Sequence, residues 1–382
     1  MKASLPPKVS TGFKKYIGMV LLVLTLITCA GVWWGYAHLT TLVQARLKAL
    51  VGTDISVGNV TARWNRIELD QVRIARRGGG PFVNRFSIDR IVIRPSLLSL
   101  FSGRLDISEI LLEKPYLLVE INPDGSFAKI LPPRPAAPTG SSTAVLPVSI
   151  NAVRISNGTI DLLDWQVARK GGIGVSNPRE RYHHASLQDV SFSAGAVTIP
   201  VSDRPMPVRL ELTSKGGGRL LIAGDVAPKG LDSHLKLDLA GLNITPYRPY
   251  FLKQGDLNVS AGTLSATCSL TINKRLLNAP GSLHLKGLAF DHSSTKGLLL
   301  GVPAWALTSF LSDNKDELSV PFTVKGSLDN PRFSIHQSLV DQVATALSSK
   351  IGVPTVSGVG RGILGIGEKG IKGIFGIIGG KK

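Results

Sequence analysis

Cysteine is nearly absent: Cys29 and Cys268 are the only two in 382 residues. Cys29 lies in an apolar run, so no disulfide between the two is expected and no bridged framework holds the chain. Aromatic residues are only 6% of the sequence. That scarcity, with no basic recognition helix, argues against nucleic-acid binding. There are seven histidines, and only His183 and His184 are adjacent. Neighbours on a strand point to opposite faces, so this pair does not easily share a metal and reads as part of a solvated loop. No Gly-x-Ser-x-Gly elbow, His-Glu-x-x-His or Cys-x-x-Cys occurs. Arg76-Arg77-Gly78-Gly79-Gly80-Pro81 reads as a turn and lacks the Gly-Lys-Ser/Thr ending of a phosphate loop. Asp161 with Asp164, and Asp313 with Asp316 and Glu317, read as solubilising charge at strand ends and in a polar loop. No catalytic residue, metal or cofactor is expected.

Acidic residues are missing from the first fifty positions, which carry six lysines and arginines. Residues 350–382 carry six basic residues against Glu368 alone. The two ends therefore hold eleven of the eighteen net positive charges, both beside apolar sequence. Basic residues so placed suit anionic lipid head groups better than a nucleic acid.

The one long charge-free run is Tyr16–Ala37. As a helix its 22 residues span about 33 Å, enough for a hydrocarbon core of about 30 Å. Lys14 and Lys15 precede it, and Trp33, Trp34 and Tyr36 mark its far end, which places residues 1–15 in the cytoplasm. A cleaved signal peptide competes, but the run is long and lacks a clear small-x-small site. Leu26-Ile27-Thr28-Cys29 resembles a lipobox, with Thr28 where a smaller residue belongs. An uncleaved anchor over 16–37 is the favoured reading. Leu39, Leu42, Val43, Leu47 and Leu50 then mark an amphipathic stalk over 38–52.

From Ile55 the pattern changes to alternation with a doubled polar step, h-x-h-x-x-h-x-h. It occurs at Ile55/Val57/Val60/Ala62, Ile67/Leu69/Val72/Ile74, Phe86/Ile88/Ile91/Ile93, Leu237/Leu239/Leu242/Ile244 and Leu283/Leu285/Leu288/Phe290. Leu105, Ile107, Ile110, Leu112, Pro115, Leu117 and Val119 share seven offsets with Val148, Ile150, Val153, Ile155, Gly158, Ile160 and Leu162. Copies beginning at 67, 86 and 105 are spaced by 19 residues, which is a repeat. Period two is a strand, and a one-residue bulge at the doubled step keeps all four apolar side chains on one face. Two short strands joined by a kink are the plainer alternative. The bulge reading predicts a long, twisted antiparallel sheet with one aliphatic face.

Two β sections follow, 53–130 and 148–335, separated by a Pro/Ser-rich linker over 131–147. Asn122-Pro123-Asp124-Gly125 is a turn signal closing the Leu105–Glu120 strands. Gly301–Leu311 breaks the β period with a helix-like segment, and Leu339, Val343, Ala346 and Leu347 mark an amphipathic helix. The remainder of 336–382 is a Gly/Ile/Lys tail. Its apolar residues, Ile371, Phe375 and Ile378 among them, suit a membrane interface or an apolar groove, and a disordered tail is the alternative.

Four of these stretches resemble the AsmA family, in its subgroup of short bacterial members. They are Leu105–Phe127, with Glu113-Lys114-Pro115-Tyr116 and Asp124-Gly125; Val148–Asp164, with Asn157-Gly158; Leu242–Leu264, with Pro246-Tyr247 and Tyr250; and Gly301–Ile335, containing Val324 to Phe333. The resemblance runs from the anchor to about residue 350 and leaves the Gly-rich tail without a counterpart. It implies a single-pass inner-membrane protein of a Gram-negative bacterium, with its bulk in the periplasm. It also implies an elongated β groove and a part in phospholipid transport or outer-membrane biogenesis. The expected partners are phospholipid or another acyl lipid, the inner membrane and other envelope proteins, with no nucleic acid. The expected lipid-facing residues are Val148, Ile150, Val153, Ile155, Ile160, Leu162, Leu237, Leu239, Leu283 and Leu285. A non-catalytic structural or assembly factor is the rival reading. Some eighteen strands at about 4.8 Å each would make a groove of roughly 85 Å.

Overall fold

The computed structural model describes residues 55–76, 82–96, 103–128, 147–166, 182–250, 259–290, 302–313, 317–329 and 335–352, with isolated positions at 40, 41, 44, 45, 99, 298 and 299. The anchor run, most of the stalk, the linker and the tail lie outside the described residues. With them lie Lys14, Lys15, Trp33, Trp34, Tyr36, Ile371, Phe375 and Ile378. Among the described residues no helix is long and apolar enough to cross a membrane.

The first section gives β1 (Ile55–Ser56), β2 (Asn59–Arg63), β3 (Arg66–Ala75), β4 (Asn84–Ser96) and β5 (Leu105–Ile121). The second gives β6 (Val148–Ile150), β7 (Val153–Asp164), β8 (His183–Ala194), β9 (Val197–Ile199), β10 (Met206–Ser214), β11 (Arg219–Val226) and β12 (Ser233–Asn243). A 3-10 helix (Thr245–Tyr250), β13 (Val259–Asn273), β14 (Leu276–Phe290), β15 (Leu298–Leu299) and β16 (Val302–Pro303) follow. Helix α1 (Ala304–Asp313), β17 (Glu317–Ser327) and helix α2 (Ile335–Ile351) complete the described chain. Among the described residues fifteen strands form one sheet, whose main path is β1-β3-β4-β5-β7-β8-β10-β11-β12-β13-β14-β17. The two sections are therefore one sheet, joined where β5 meets β6 and β7.

That junction corrects the expectation of a wholly antiparallel sheet. β5 pairs with β6 and β7 in parallel, while every other named pairing in this sheet is antiparallel. The seven offsets shared by Leu105–Val119 and Val148–Leu162 are the register itself. Leu105 lies opposite Val148, Ile107 opposite Ile150, Ile110 opposite Val153 and Leu112 opposite Ile155. Length is corrected too. Among the described residues twelve strands lie along the path, giving about 53 Å at 4.8 Å per step, against the roughly 85 Å expected from some eighteen strands.

The doubled step is accommodated in two ways. At Ser108-Glu109 the register shifts against Arg94, so Ile107 and Ile110 stay on one side, as a bulge requires. At six further steps the second residue takes a left-handed backbone: Gln71 (φ 53°), Lys114 (φ 47°), Asn157 (φ 53°), Asp189 (φ 52°), Gly241 (φ 64°) and Gly287 (φ 60°), whereas Arg90 of β4 does not. Along β3, β4, β5 and β7 the extra residues line up, so no shift arises at that step. All four apolar positions of β3, with Phe86, Ile91 and Ile93 of β4, join a single cluster with Ile55, Val57 and Val60, and Ile88 lies opposite Val72 of that cluster. They share a face.

A left-handed conformation costs a residue with a Cβ about 1–2 kcal/mol. A Cβ added to Gly241 or Gly287 would meet nothing within 4 Å, so their replacement tests the backbone alone. Gly241→Ala and Gly287→Ala should each lower unfolding stability by about that amount, while Lys114→Gly should raise it. Urea midpoints of the three variants check this.

Register then carries the apolar face across the molecule. Leu69, Ile91, Leu112, Ile155, Phe192 and Leu210 stand each opposite the next from β3 to β10. Ile222, Leu237, Cys268, Gly281 and Phe322 continue the row to β17. The opposite face is largely polar, with cross-strand pairs such as Arg90 with Asp70 (3.1 Å) and Arg154 with Glu109 (3.1 Å). Exposed pairs of this kind add little stability.

The strands end along two rims. The upper rim carries Ala75, Ile121, Asp164, His183, Ser214, Asn243 and Phe290; the lower carries Arg63, Leu105, Ala194, Val226, Asn273 and Ser327. Helices α1 and α2 cover the apolar face at its β14–β17 end. There Leu307, Leu311, Val343 and Leu347 join Val259, Leu288, Leu318 and Val320 in the largest core.

Candidate functional site

The ten expected lipid-facing residues all lie on strands of the main sheet. Val148 and Ile150 lie beside Leu105 and Ile107; Val153 and Ile155 beside Ile110 and Leu112; Ile160 and Leu162 beside Leu117 and Val119. Leu237 pairs with Ile222 and Cys268, and Leu239 with Leu220 and Ala266. These eight are half-buried. Neighbouring side chains shield them, and no helix among the described residues joins a core cluster with them.

Leu283 and Leu285 differ. They lie on the same face, opposite Val320 and Leu318, but pack against the core that includes α1 and α2. This end of the face is roofed, because apolar side chains of both helices fold back onto β14 and β17. The open stretch is therefore the middle of the sheet, from β5 to β12.

The upper rim closes part of that stretch. The 3-10 helix has Pro246 and Pro249, which lack an N–H and suit a short turn better than a long helix. It crosses strand ends: Tyr247 Oη meets Ser214 Oγ at 2.8 Å, and Arg248 Nη1 donates to the Val259 carbonyl at 3.1 Å. Tyr250 sets its ring edge-on to His183, centroids 5.3 Å apart.

Here the sequence reading needs correction. His183 belongs to β8 and is only 3% exposed, not part of a solvated loop, and Asp164 opposite it is fully buried. Asp161 is also buried and pairs with His184 at 3.1 Å on the other face. The two aspartates thus serve different faces and do not converge, and the two histidines separate in the same way. Burial lowers the His183 imidazole below its usual pKa, opposed by the charge of Asp164 and assisted by His184. Burial, followed by the charge of Asp164, pushes the Tyr250 phenol above its usual range. Both ring nitrogens of His183 lack a hydrogen-bond partner among the described residues. The cluster holds a neutral imidazole and a neutral phenol beneath a proline-rich turn.

A second polar cluster lies on the opposite face, unanticipated in the sequence. Arg76 Nη2 meets Glu120 Oε1 at 2.6 Å with both side chains buried, and Arg85 reaches Glu120 Oε2 at 3.4 Å. Leu118, Leu163 and Tyr182 pack beside them with Phe82, Tyr116 and Trp165. The glycine-rich sequence after Arg76 gave no hint of an ion pair with a residue 44 positions away. No group of three or more histidine, cysteine or acidic residues suited to a metal occurs among the described residues.

Cys268 sits in the apolar row between Leu237 and Gly281, half-buried. Burial pushes its thiol pKa up. It is a natural reporter of whatever covers that face. No protein-family model, curated protein or solved structure matches the chain.

Proposed function

We propose that this is an inner-membrane-anchored periplasmic protein of the AsmA type. Its apolar sheet face takes up lipid acyl chains and so assists phospholipid transport or outer-membrane biogenesis. One observation carries the reading: a largely aliphatic apolar row, broken by Phe192, Cys268, Gly281 and Phe322, crosses eleven strands in register, and its middle is half-buried with no second layer among the described residues. An aliphatic surface of that extent without a protein layer over it is where an apolar ligand belongs. Aromatic scarcity supports acyl chains over flat ring ligands. A single-pass anchor over residues 16–37, with basic residues before it, would hold the face near anionic head groups.

An assembly factor is the second reading, favoured by the roof that α1 and α2 place over Leu283 and Leu285. Full-length protein extracted in mild detergent separates the two. Mass spectrometry should find phospholipid bound in stoichiometric amount, and alkylation of Cys268 should accelerate when that lipid is stripped. Folded protein free of lipid in every preparation, with Cys268 equally reactive throughout, overturns the lipid reading.

A further inference from the structure

The exposed apolar side chains are not scattered. Five large ones are exposed among the described residues: Trp64, Val83, Ile199, Val201 and Leu276. Four of the five stand on or just beyond the lower rim. Trp64, 82% exposed, tips the turn between β2 and β3. Ile199 ends β9 opposite Val148, and Val201 follows it. Leu276, 61% exposed, opens β14 after the Lys274-Arg275 turn. Only Val83 lies at the upper rim, just ahead of β4. Single exposed apolar residues need no explanation, but alignment along one rim does.

Charge on the same rim points to the surface they meet. Arg63, Arg204, Lys229 and Lys274 are exposed there without an ion-pair partner among the described residues. Of the acids of these loops, Asp106 and Asp329 are ion-paired, whereas Asp203 and Asp232 accept backbone N–H bonds that leave their charge in place. Arg104 Nε holds Asp106 at 3.1 Å, Gly230 N donates to Asp203 at 3.2 Å, Lys274 N donates to Asp232 at 2.7 Å, and Arg275 pairs with Asp329. The rim thus offers oily tips among cations that outnumber the carboxylates left without an ion pair. Indole rings and arginines in that arrangement suit the head-group layer of an anionic bilayer.

The chain just past the charge-free run meets the same end of the sheet. Val60 N donates to Thr40 Oγ1 at 3.1 Å, and Thr40 is three residues past the end of the charge-free run Tyr16–Ala37. Four residues of strand and turn, about 13 Å, separate Val60 from Trp64.

We infer that the lower rim is a membrane-docking edge, with Trp64, Ile199, Val201 and Leu276 seated in the head-group layer of an anionic bilayer. The sheet then lies lengthwise along the membrane instead of standing away from it. Nine strand spacings, about 43 Å, separate Trp64 from Leu276, so a tether at one end cannot by itself bring both to the lipid. The inference rests on the anchor and the rim, not on lipid in the apolar face, and protein carrying no bound lipid can still show it.

The test uses full-length protein in phosphatidylethanolamine/phosphatidylglycerol vesicles, with Cys29→Ser and Cys268→Ser as background. An environment-sensitive dye is attached at Trp64→Cys, Leu276→Cys or Val83→Cys, with Ile199→Cys as a second mid-rim site should Leu276→Cys fold poorly. The bilayer should blue-shift the dye, and head-group spin labels should quench it, at Trp64→Cys and at Leu276→Cys or Ile199→Cys, with Val83→Cys unchanged in both. Quenching at Trp64→Cys alone, equal quenching at Val83→Cys, or quenching nowhere overturns the inference.

Discussion

Leu237→Asp protein should purify folded and nearly free of lipid. Leu237 is half-buried in the middle of the open stretch, between Ile222 and Cys268. In the lipid-free protein the new carboxylate meets water and costs the fold little. Once an acyl chain covers the face, the same charge is stripped of water, at several kcal/mol even after relaxation. Since about 1.4 kcal/mol is tenfold in affinity, bound lipid should fall by at least an order of magnitude. Lys236→Asp is the control. Its neighbour Lys236 is exposed and points to the polar face, so that variant should keep its lipid. Equal lipid in both variants would remove the apolar row from the proposal.

Leu307→Ala should be the most damaging small change to the fold. Leu307 has no exposed surface and packs α1 onto a core with Leu318, Val320 and Leu347. Truncating a buried leucine costs about 2–5 kcal/mol, depending on how far the site collapses. Leu276→Ala, at an exposed leucine, should stay within about 0.5 kcal/mol of the parent. Urea unfolding of the two variants reads the contrast directly. A small loss at Leu307 would mean that the roof over β14 and β17 is loosely held.

The repeat made much of the fold legible in advance. Apolar positions at Ile67, Leu69, Val72 and Ile74 share a face because the doubled step holds either a bulge or a left-handed residue. Spacing alone shows that something must turn there. Strand direction was not legible, since offsets shared by Leu105–Val119 and Val148–Leu162 suit pairing in either sense. The long connection between the strands is what permits the parallel arrangement. Nor could alternation distinguish Leu237, left open, from Leu283, roofed by helices encoded after it. The burial of His183 and Asp164 was hidden for a related reason. Their cover is a turn that begins some sixty residues further along the chain, and polar residues beneath a distant lid look like surface residues in sequence. The Arg76–Glu120 pair shares that difficulty.

The spacing h-x-h-x-x-h-x-h is a palindrome: reversed, it reads the same. A strand carrying it can lie beside its neighbour running up or down and still present its oily side chains to the same side. Such strands are interchangeable modules. Inserting a further hairpin of this spacing between β10 and β13 should lengthen the ribbon by about 10 Å without recasting the strands on either side, which makes its length an adjustable property of the gene.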